Sequence, residues 1–249
     1  MKYKKAEVYW DNAGDVSYAQ AMFSSSLVER HINYRLSHIG VEIGKQMGLS
    51  RTSKILDLGC GDGELANMVL AEHFGSIDGI DLSPNAIERA AKYSPREDIQ
   101  FFIQDITKMD YAALPKYDGV FLWGILHHVK ESAPYILQSL RKITGRVIIL
   151  EPNGNHIVRK LLEKTETYIN AGEDSFRTAE LKRIFENAGF SQLVWKRLNL
   201  FPNFTPTWIF KMFWGVEPLI EKIPLLRAMC TVNLWGFSSS LSSQHEINL

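Results

Sequence analysis

Lys54-Ile55-Leu56-Asp57-Leu58-Gly59-Cys60-Gly61-Asp62-Gly63 reads as a short apolar strand running straight into a glycine-rich turn, and a helical stretch from Glu64 to about Glu72 follows. Glycines at a strand-to-helix turn let the backbone take tight or positive-φ conformations. They also let a ligand approach the chain closely, beside the N-terminal end of the next helix. Ligands in open α/β sheets sit at the carboxyl ends of the strands, where this turn lies. The spacing is Gly-x-Gly-x-Gly, and Glu64 stands where the dinucleotide pattern Gly-x-Gly-x-x-Gly puts its third glycine. A dehydrogenase is disfavoured on that ground.

Outward from this turn, strand-like and helix-like segments alternate, which predicts a parallel sheet with crossover helices. Ile77 to Leu82 reads as a second strand, and Ser83-Pro84 opens a helix, with Ser as cap and Pro in the first turn. A third strand is expected over about Ile99 to Ile106, a fourth over Asp118 to Trp123 and a fifth over Arg146 to Leu150, with a helix from about Ser132 to Ile143 between the last two. The fifth is uninterrupted Val/Ile/Leu, as a strand buried on both faces should be. Thr178 to Ala188 reads as an amphipathic helix stopped by Gly189, Ser191 to Leu198 as a sixth strand, and Thr231 to Ser238 as a last one. The fold class expected is therefore α/β and Rossmann-like, a mostly parallel seven-stranded sheet with helices on both faces. One domain over 1–249 is expected: an N-terminal helical lid (1–50), the core (51–199), an apolar helical insertion (200–230) and a last strand with tail (231–249).

The chain has 249 residues, 45% hydrophobic and 22% charged, ordinary values for a globular protein with a real core. Lys plus Arg and Asp plus Glu balance at 28 each, so the whole-chain charge offers nucleic-acid phosphates no attraction, and no nucleic-acid partner is expected. Two distant cysteines, Cys60 and Cys230, make neither a disulfide framework nor a zinc site, which fits a reducing cytoplasm. The basic start Met1-Lys2-Tyr3-Lys4-Lys5 is followed by no apolar stretch, so it does not read as a signal peptide, and no uncharged apolar run reaches the roughly 18 residues of a bilayer span.

Asp81 ends the second strand, 18 positions after Gly63, where a carboxylate can accept from both ribose hydroxyls of an adenosine. Asp105 is placed at the end of the third strand, where a carboxylate could accept from an adenine amino group. Each acid alone reads equally well as a turn residue or cap; their order on three consecutive strands points to a nucleoside site. These stretches resemble the motifs of class I S-adenosylmethionine-dependent methyltransferases: Ile55 to Gly63 the first, Gly79-Ile80-Asp81-Leu82-Ser83 the second, Gln104-Asp105-Ile106 the third, and Phe121 to Val129 the segment after the fourth strand. Glu180-Leu181 through Ala188-Gly189-Phe190 is similar to that family too. The resemblance covers roughly residues 50 to 195. It implies S-adenosylmethionine as cofactor and S-adenosylhomocysteine as product. Asp57, Gly59, Cys60 and Gly61 would then lie at the methionine part, Asp81 on the ribose, Leu82 and Ile106 on the adenine faces, Asp105 on the adenine amino group and Trp123 near the sulfonium.

Methyl transfer is an in-line displacement, so the protein's main tasks are alignment and exclusion of water. His127 and His128 follow the fourth strand and titrate near neutrality, which suits a general base; His128 is the favoured one, and the alternative is that one of them packs or caps. Glu151 and Asn153 after the fifth strand could hold an acceptor, although Pro152-Asn153-Gly154 is strong turn chemistry. His127, His128 and Glu151 could converge on a metal, but no ligand spacing supports one, and no metal is expected.

The N-terminal segment, with Tyr9, Trp10, Tyr18, Phe23 and a helical run from Ser26 to Met47, would close over the cofactor or simply cover the sheet. In residues 200–230, Ile209, Met212, Phe213, Val216, Leu219, Ile220 and Ile223 recur at helical spacing, and Trp208, Phe210 and Trp214 widen the stripe. Three readings stay open: a core helix, which is the default, a homodimer contact, or an apolar lid admitting a lipid-like acceptor at a membrane surface. The functional expectation is methylation of a small-molecule or lipid-like acceptor, on oxygen. The alternatives are another group transfer from a related cofactor, and a cofactor-binding regulatory or assembly protein without turnover.

Overall fold

The computed structural model describes residues 26–202 and 205–239. Five strands lie parallel: β1 (Lys54–Leu58), β2 (Ser76–Asp81), β3 (Ile99–Ile103), β4 (Gly119–Trp123) and β5 (Arg146–Pro152). With β6 (Ser191–Leu198) and β7 (Val232–Ser238) they form one sheet of order β3-β2-β1-β4-β5-β7-β6, and β7 runs antiparallel to both its neighbours. The strand order reverses between β1 and β4, and the carboxyl ends of these two strands open the crevice in which such sheets bind ligands.

The period-2 alternation of the strands feeds two cores. Leu56, Leu58, Val120, Leu122, Val147 and Ile149 point to one face and pack with helices α4 (Ala133–Leu140) and α7 (Thr178–Asn187). Ile55, Ile77, Phe121, Ile148 and Leu150 point to the other, against helix α1 (Ser26–Gln46) and the helical run α2, a π-helical stretch Ala66–Leu70 continued by Ala71–His73. Gly40 of α1 makes room for Trp123, because a Cβ there would stand 2.7 Å from the indole. α1 thus packs flat on the sheet. Helix α3 (Pro84–Lys92) begins as its sequence suggests, with Ser83 Oγ accepting the Ala86 N–H at 3.2 Å and Pro84 in the first turn.

Two boundaries that bear on the site move. β3 stops at Ile103, so Asp105 stands in the loop beyond it. β5 runs on to Pro152 and takes Glu151 into the sheet. The insertion after β5 folds into two short helices, α5 (Ile157–Leu162) and α6 (Glu166–Asn170). The 200–230 stretch departs most from expectation. Its apolar period is cut into α8 (Thr207–Phe213), a 3-10 turn Trp214–Val216, α9 (Glu217–Ile220) and a second 3-10 turn Leu226–Met229. Gly215, Pro218 and Pro224 interrupt any continuous helix. Plain core packing fails there: Phe201 and Phe210 are buried, but Trp208, Met212, Trp214 and Leu219 are exposed. The lid residues Tyr9, Trp10, Tyr18 and Phe23, together with Phe204 and the 240–249 tail, lie outside the described residues. Among the described residues no helix is long and apolar enough to cross a membrane.

Candidate active site

The glycine turn is folded back over the end of β2. Gly59 and Cys60 donate their N–H groups to the Ile80 carbonyl at 2.7 and 3.0 Å. Gly61 N–H donates to Asp81 Oδ2 at 2.9 Å, while Asp81 Oδ1 takes the Ser83 N–H at 3.0 Å. Gly59 and Gly61 hold φ of +79° and +53°, a region in which a Cβ costs roughly 1–2 kcal/mol. At Gly59 a Cβ would also strike Ile125 at 2.4 Å, whereas at Gly61 it would meet nothing within 4 Å. The main chain at Gly61 therefore edges open space.

That space is a cavity of about 710 Å³, within the usual range of ligand sites. It brings together nearly every residue singled out from the sequence: Asp57, Gly59, Cys60, Gly61, Asp81, Leu82, Ile106, Trp123, His127 and His128. Asp105 is the exception among the cofactor-binding candidates. Its Oδ1 takes the Thr107 N–H at 2.9 Å and the Thr107 hydroxyl at 2.6 Å, its Oδ2 pairs with Lys108 at 2.6 Å, and it does not line the cavity. Standing two residues past its strand, it closes its own loop. The first turns of α1 also line the cavity, with Glu29, Ile32 and Leu36, so α1 both covers the sheet and walls the site.

Two acids in this cavity are held near their titration points. Asp57 is fully buried and both its oxygens lack a hydrogen-bond partner. Burial, and then the charge of Asp81, push its carboxyl up to about 7. Glu29, raised to about 7 by burial and by Glu64, stands in the wall supplied by α1. Asp81 is likewise raised by burial, against the N–H bonds it accepts. Carboxylates so desolvated favour a cationic ligand. The S-adenosylmethionine implied by the sequence motifs, with its sulfonium and ammonium charges, fits this donor set, and Asp57 with Asp81 at adjacent strand ends would hold it.

One wall of the cavity carries an ion cluster. His127 is buried with Nδ1 2.7 Å from Glu151 Oε2 and Nε2 3.1 Å from Glu173 Oε2. Burial opposes its charge, but the two carboxylates outweigh burial and raise it to about 9. Burial would raise Glu173, yet His127 and Arg159 hold it well below the carboxylate range, and Arg159 forms an ion pair with it. The His128 ring lies 4.1 Å from that of His127, and burial and the His127 charge lower it to about 3. Its Nδ1 is 3.1 Å from the Ala171 carbonyl, which can only accept, so Nδ1 carries the proton and the second ring nitrogen is the acceptor. The two histidines thus differ: His127 is an imidazolium and His128 a neutral imidazole. The two carboxylates around His127 favour its charged form, which disfavours it as a base. His127, His128 and Glu173 offer donor atoms within 4.8 Å of one another, with Arg159 paired to Glu173.

Glu151 and Asn153 turn out to be scaffold. Glu151 also accepts the Leu126 N–H at 2.8 Å, and Asn153 donates to the Cys230 carbonyl at 2.8 Å. Three residues went unseen in the sequence: Glu29, Arg159 and Glu173. None stands in a motif; each reaches the site only because α1 and the insertion after β5 dock over the sheet edge.

A model described as a methyltransferase domain matches residues 28–194. A ubiquinone biosynthesis O-methyltransferase of Rickettsia conorii (strain ATCC VR-613 / Malish 7) is 25% identical over 159 residues, which cover 63% of this chain and 52% of that protein. The chain thus spans about half the length of the curated relatives it matches. Among solved structures, magnesium protoporphyrin IX methyltransferase from Synechocystis PCC 6803 with bound S-adenosylmethionine has a TM-score of 0.59 at 13% identity, over 96% of this chain and 98% of that one. An S-adenosylmethionine dependent methyltransferase from Mesorhizobium loti has a TM-score of 0.56 at 14% identity, over 79% and 96%. These structures show the same fold. The chain belongs to the methyltransferase domain family.

Proposed function

We propose that this class I methyltransferase-family chain moves the methyl group of S-adenosylmethionine to an oxygen of a small or lipid-like acceptor. The observation that carries the reading is the convergence of the open glycine turn, the desolvated acids Asp57 and Asp81 and a neutral His128 on one cavity. The relative from Rickettsia conorii carries an O-methyltransferase name, which supports oxygen as the atom methylated.

The cofactor supplies an electrophilic methyl carbon on a sulfonium; the chain supplies placement. Asp81 would take the ribose hydroxyls, and Asp57 would face the ammonium group. Leu82 and Ile106 would flank the adenine, and Trp123 would stand near the sulfonium. Gly59, Cys60 and Gly61 would give the main-chain edge for the methionine part. His128, as a hydrogen-bond acceptor, would orient the acceptor hydroxyl in line with the methyl carbon, because alignment is the larger part of such catalysis. As the S–CH3 bond breaks and the O–CH3 bond forms, the hydroxyl proton would pass through the hydrogen bond to His128 and on to solvent, because an imidazole held near 3 does not retain it. His127, clamped between Glu151 and Glu173, would keep that ring in place and water out.

The test is incubation with methyl-labelled S-adenosylmethionine and metabolite extracts that retain membranes, followed by partition of the label. Protein-dependent label in a small-molecule fraction, lost in Asp81→Ala, is expected. Tight S-adenosylhomocysteine binding with no label transferred to any fraction would overturn the enzymatic reading in favour of a binding role.

A further inference from the structure

Residues 207–229 carry large apolar side chains on the outside of the molecule. Trp208 is 66% exposed, Trp214 51%, Leu219 60% and Leu225 83%. The inner side of the segment is anchored: Phe210 packs edge-on to Phe201 and His31, with ring centroids 5.6 and 5.2 Å away. The outer side chains are therefore held out by a packed base. Large apolar side chains exposed together along one segment mark a contact site rather than ordinary exposure.

Charge is sorted by the same division. Both acids of the segment turn inward. Glu217 takes the Leu200 N–H at 2.6 Å and pairs with Arg35 of α1 at 3.1 Å; Glu221 takes the Asn199 N–H at 2.8 Å and also pairs with Arg35. Lys211 and Lys222 are exposed, and Arg227 is half-buried over the Trp195 ring. The outward surface of 207–229 thus combines aromatics, aliphatics and cations, with no acid of its own. A second apolar patch adjoins it. Ile157, Val158 and Leu161 of α5 are exposed, and His156, which caps α5, hydrogen-bonds to the Met229 backbone. Val158 and Leu162 of α5, with Pro202 and Val232 flanking the segment, line the cavity.

We propose that this face docks on the surface of an anionic lipid bilayer, with Trp208, Trp214 and Leu225 seated at the headgroup level, and that the cavity takes an apolar acceptor directly from that surface. The acceptor clause rests on the methyl-transfer reading above; the bilayer contact does not. Charge selects the occupant. A second copy meeting this face about a two-fold axis would set Lys211 and Lys222 against an identical acid-free surface, whereas phosphate headgroups supply the missing anions. Short amphipathic turns rich in aromatics and lysine lie in an interface rather than across it, in keeping with the absence of a membrane-spanning helix among the described residues.

The test is flotation of the full chain with phosphatidylcholine vesicles and with vesicles containing one third phosphatidylglycerol, alongside quenching of tryptophan fluorescence by bromine-labelled acyl chains. Binding to the anionic vesicles at least ten-fold stronger than to the zwitterionic ones, weakened by salt and accompanied by quenching, is expected. Trp208→Ser/Trp214→Ser/Leu225→Ser should abolish it. Lys211→Ser and Lys222→Ser should each weaken it about five-fold, near 1 kcal/mol per surface cation. Tyr93→Ser, at an exposed aromatic of the glycine-turn side of the sheet, should leave it unchanged. The Lys211, Lys222 and Tyr93 variants should keep the wild-type melting temperature, because those side chains are exposed, and the triple variant should lose only the few degrees that the edge-on contact of Trp214 with His31, 5.5 Å between centroids, accounts for. Absence of flotation, equal binding to both vesicle types, or a dimer in solution broken by the triple variant would each overturn the proposal. S-adenosylhomocysteine binding, measured on the same samples, separates this from the methyl-transfer reading: its loss with intact flotation removes the latter alone.

Discussion

His127 Nδ1 and Glu151 Oε2 stand 2.7 Å apart, both fully enclosed, the histidine just past β4 and the glutamate within β5. Because the other Glu151 oxygen holds the Leu126 N–H, one carboxylate fixes both the backbone and the ring of the segment that carries His128. The histidine charge is raised from an ordinary 6.5 to about 9. Its contribution to stability is thus complete below pH 6.5 and is lost as pH rises through about 9. Urea unfolding should show stability falling between pH 7 and 9.5. Glu151→Gln should cost about 3 kcal/mol at pH 7 and flatten that fall. A wild-type profile unchanged across this range would show that His127 is not charged.

His128 gives a kinetic prediction of opposite sign. Held neutral down to about 3, it needs no deprotonation in the working range. The turnover profile should therefore lack an acid limb between pH 7 and 5. His128→Ala should lower kcat by about 100-fold, with little change in S-adenosylhomocysteine affinity. A limb with an apparent pKa near 6.5 that vanishes in the variant would instead make it a general base.

Gly59 and Gly61 separate folding from binding. Gly59→Ala drives a Cβ into Ile125 and should lower the melting temperature by several degrees, as a loss of about 2–3 kcal/mol does in a chain of this size. Gly61→Ala meets no neighbour and should cost only about 1 kcal/mol of stability. It should weaken S-adenosylhomocysteine at least ten-fold by filling the cavity edge. Thermal melts with and without ligand read both effects; equal affinity in Gly61→Ala would move the ligand away from this turn.

Asp57 and Glu29, each lifted to about 7 principally by burial, are partly protonated at neutral pH in the free protein. A sulfonium cation nearby favours their charged forms and lowers both pKa values. Binding of S-adenosylmethionine at pH 7 should therefore release protons, detected by calorimetry in buffers of different ionisation enthalpy. The release should fade at pH 9, where both groups are already ionised, and should shrink in Asp57→Asn. Binding without proton release at pH 7 would place the cationic part of the cofactor elsewhere.

The glycine turn, the strand alternation and the cap at Ser83 were all legible in the sequence, because each is a local signal: spacing, period and a turn residue. Asp105 was misplaced because nothing local says where a strand ends, and two residues of loop suffice to turn a carboxylate onto Thr107 and Lys108. The stripe in 207–223 leaves three readings open from sequence, and the exposure of Trp208, Met212 and Leu219 removes only the default one, a buried core face. A period reveals which residues share a side, not whether that side meets the core or the outside. Glu29 and Glu173 carry no local mark, since their surroundings are assembled from elements far apart in the chain. The split between the two histidines was equally invisible, as it depends on which ring the two glutamates reach.

β6 and β7 pair antiparallel, with Leu198 opposite Val232, so the chain between them leaves the sheet and returns at the same point. Everything in residues 199–231 is in effect the loop of one long hairpin. Closing a longer or shorter loop between such anchored ends changes the free energy by only about 0.6 kcal/mol per doubling of length. The outward-facing surface can be exchanged as a cassette, with the strands that hold the glycine turn left in register. Chimaeras that trade this excursion alone would test whether it sets acceptor choice.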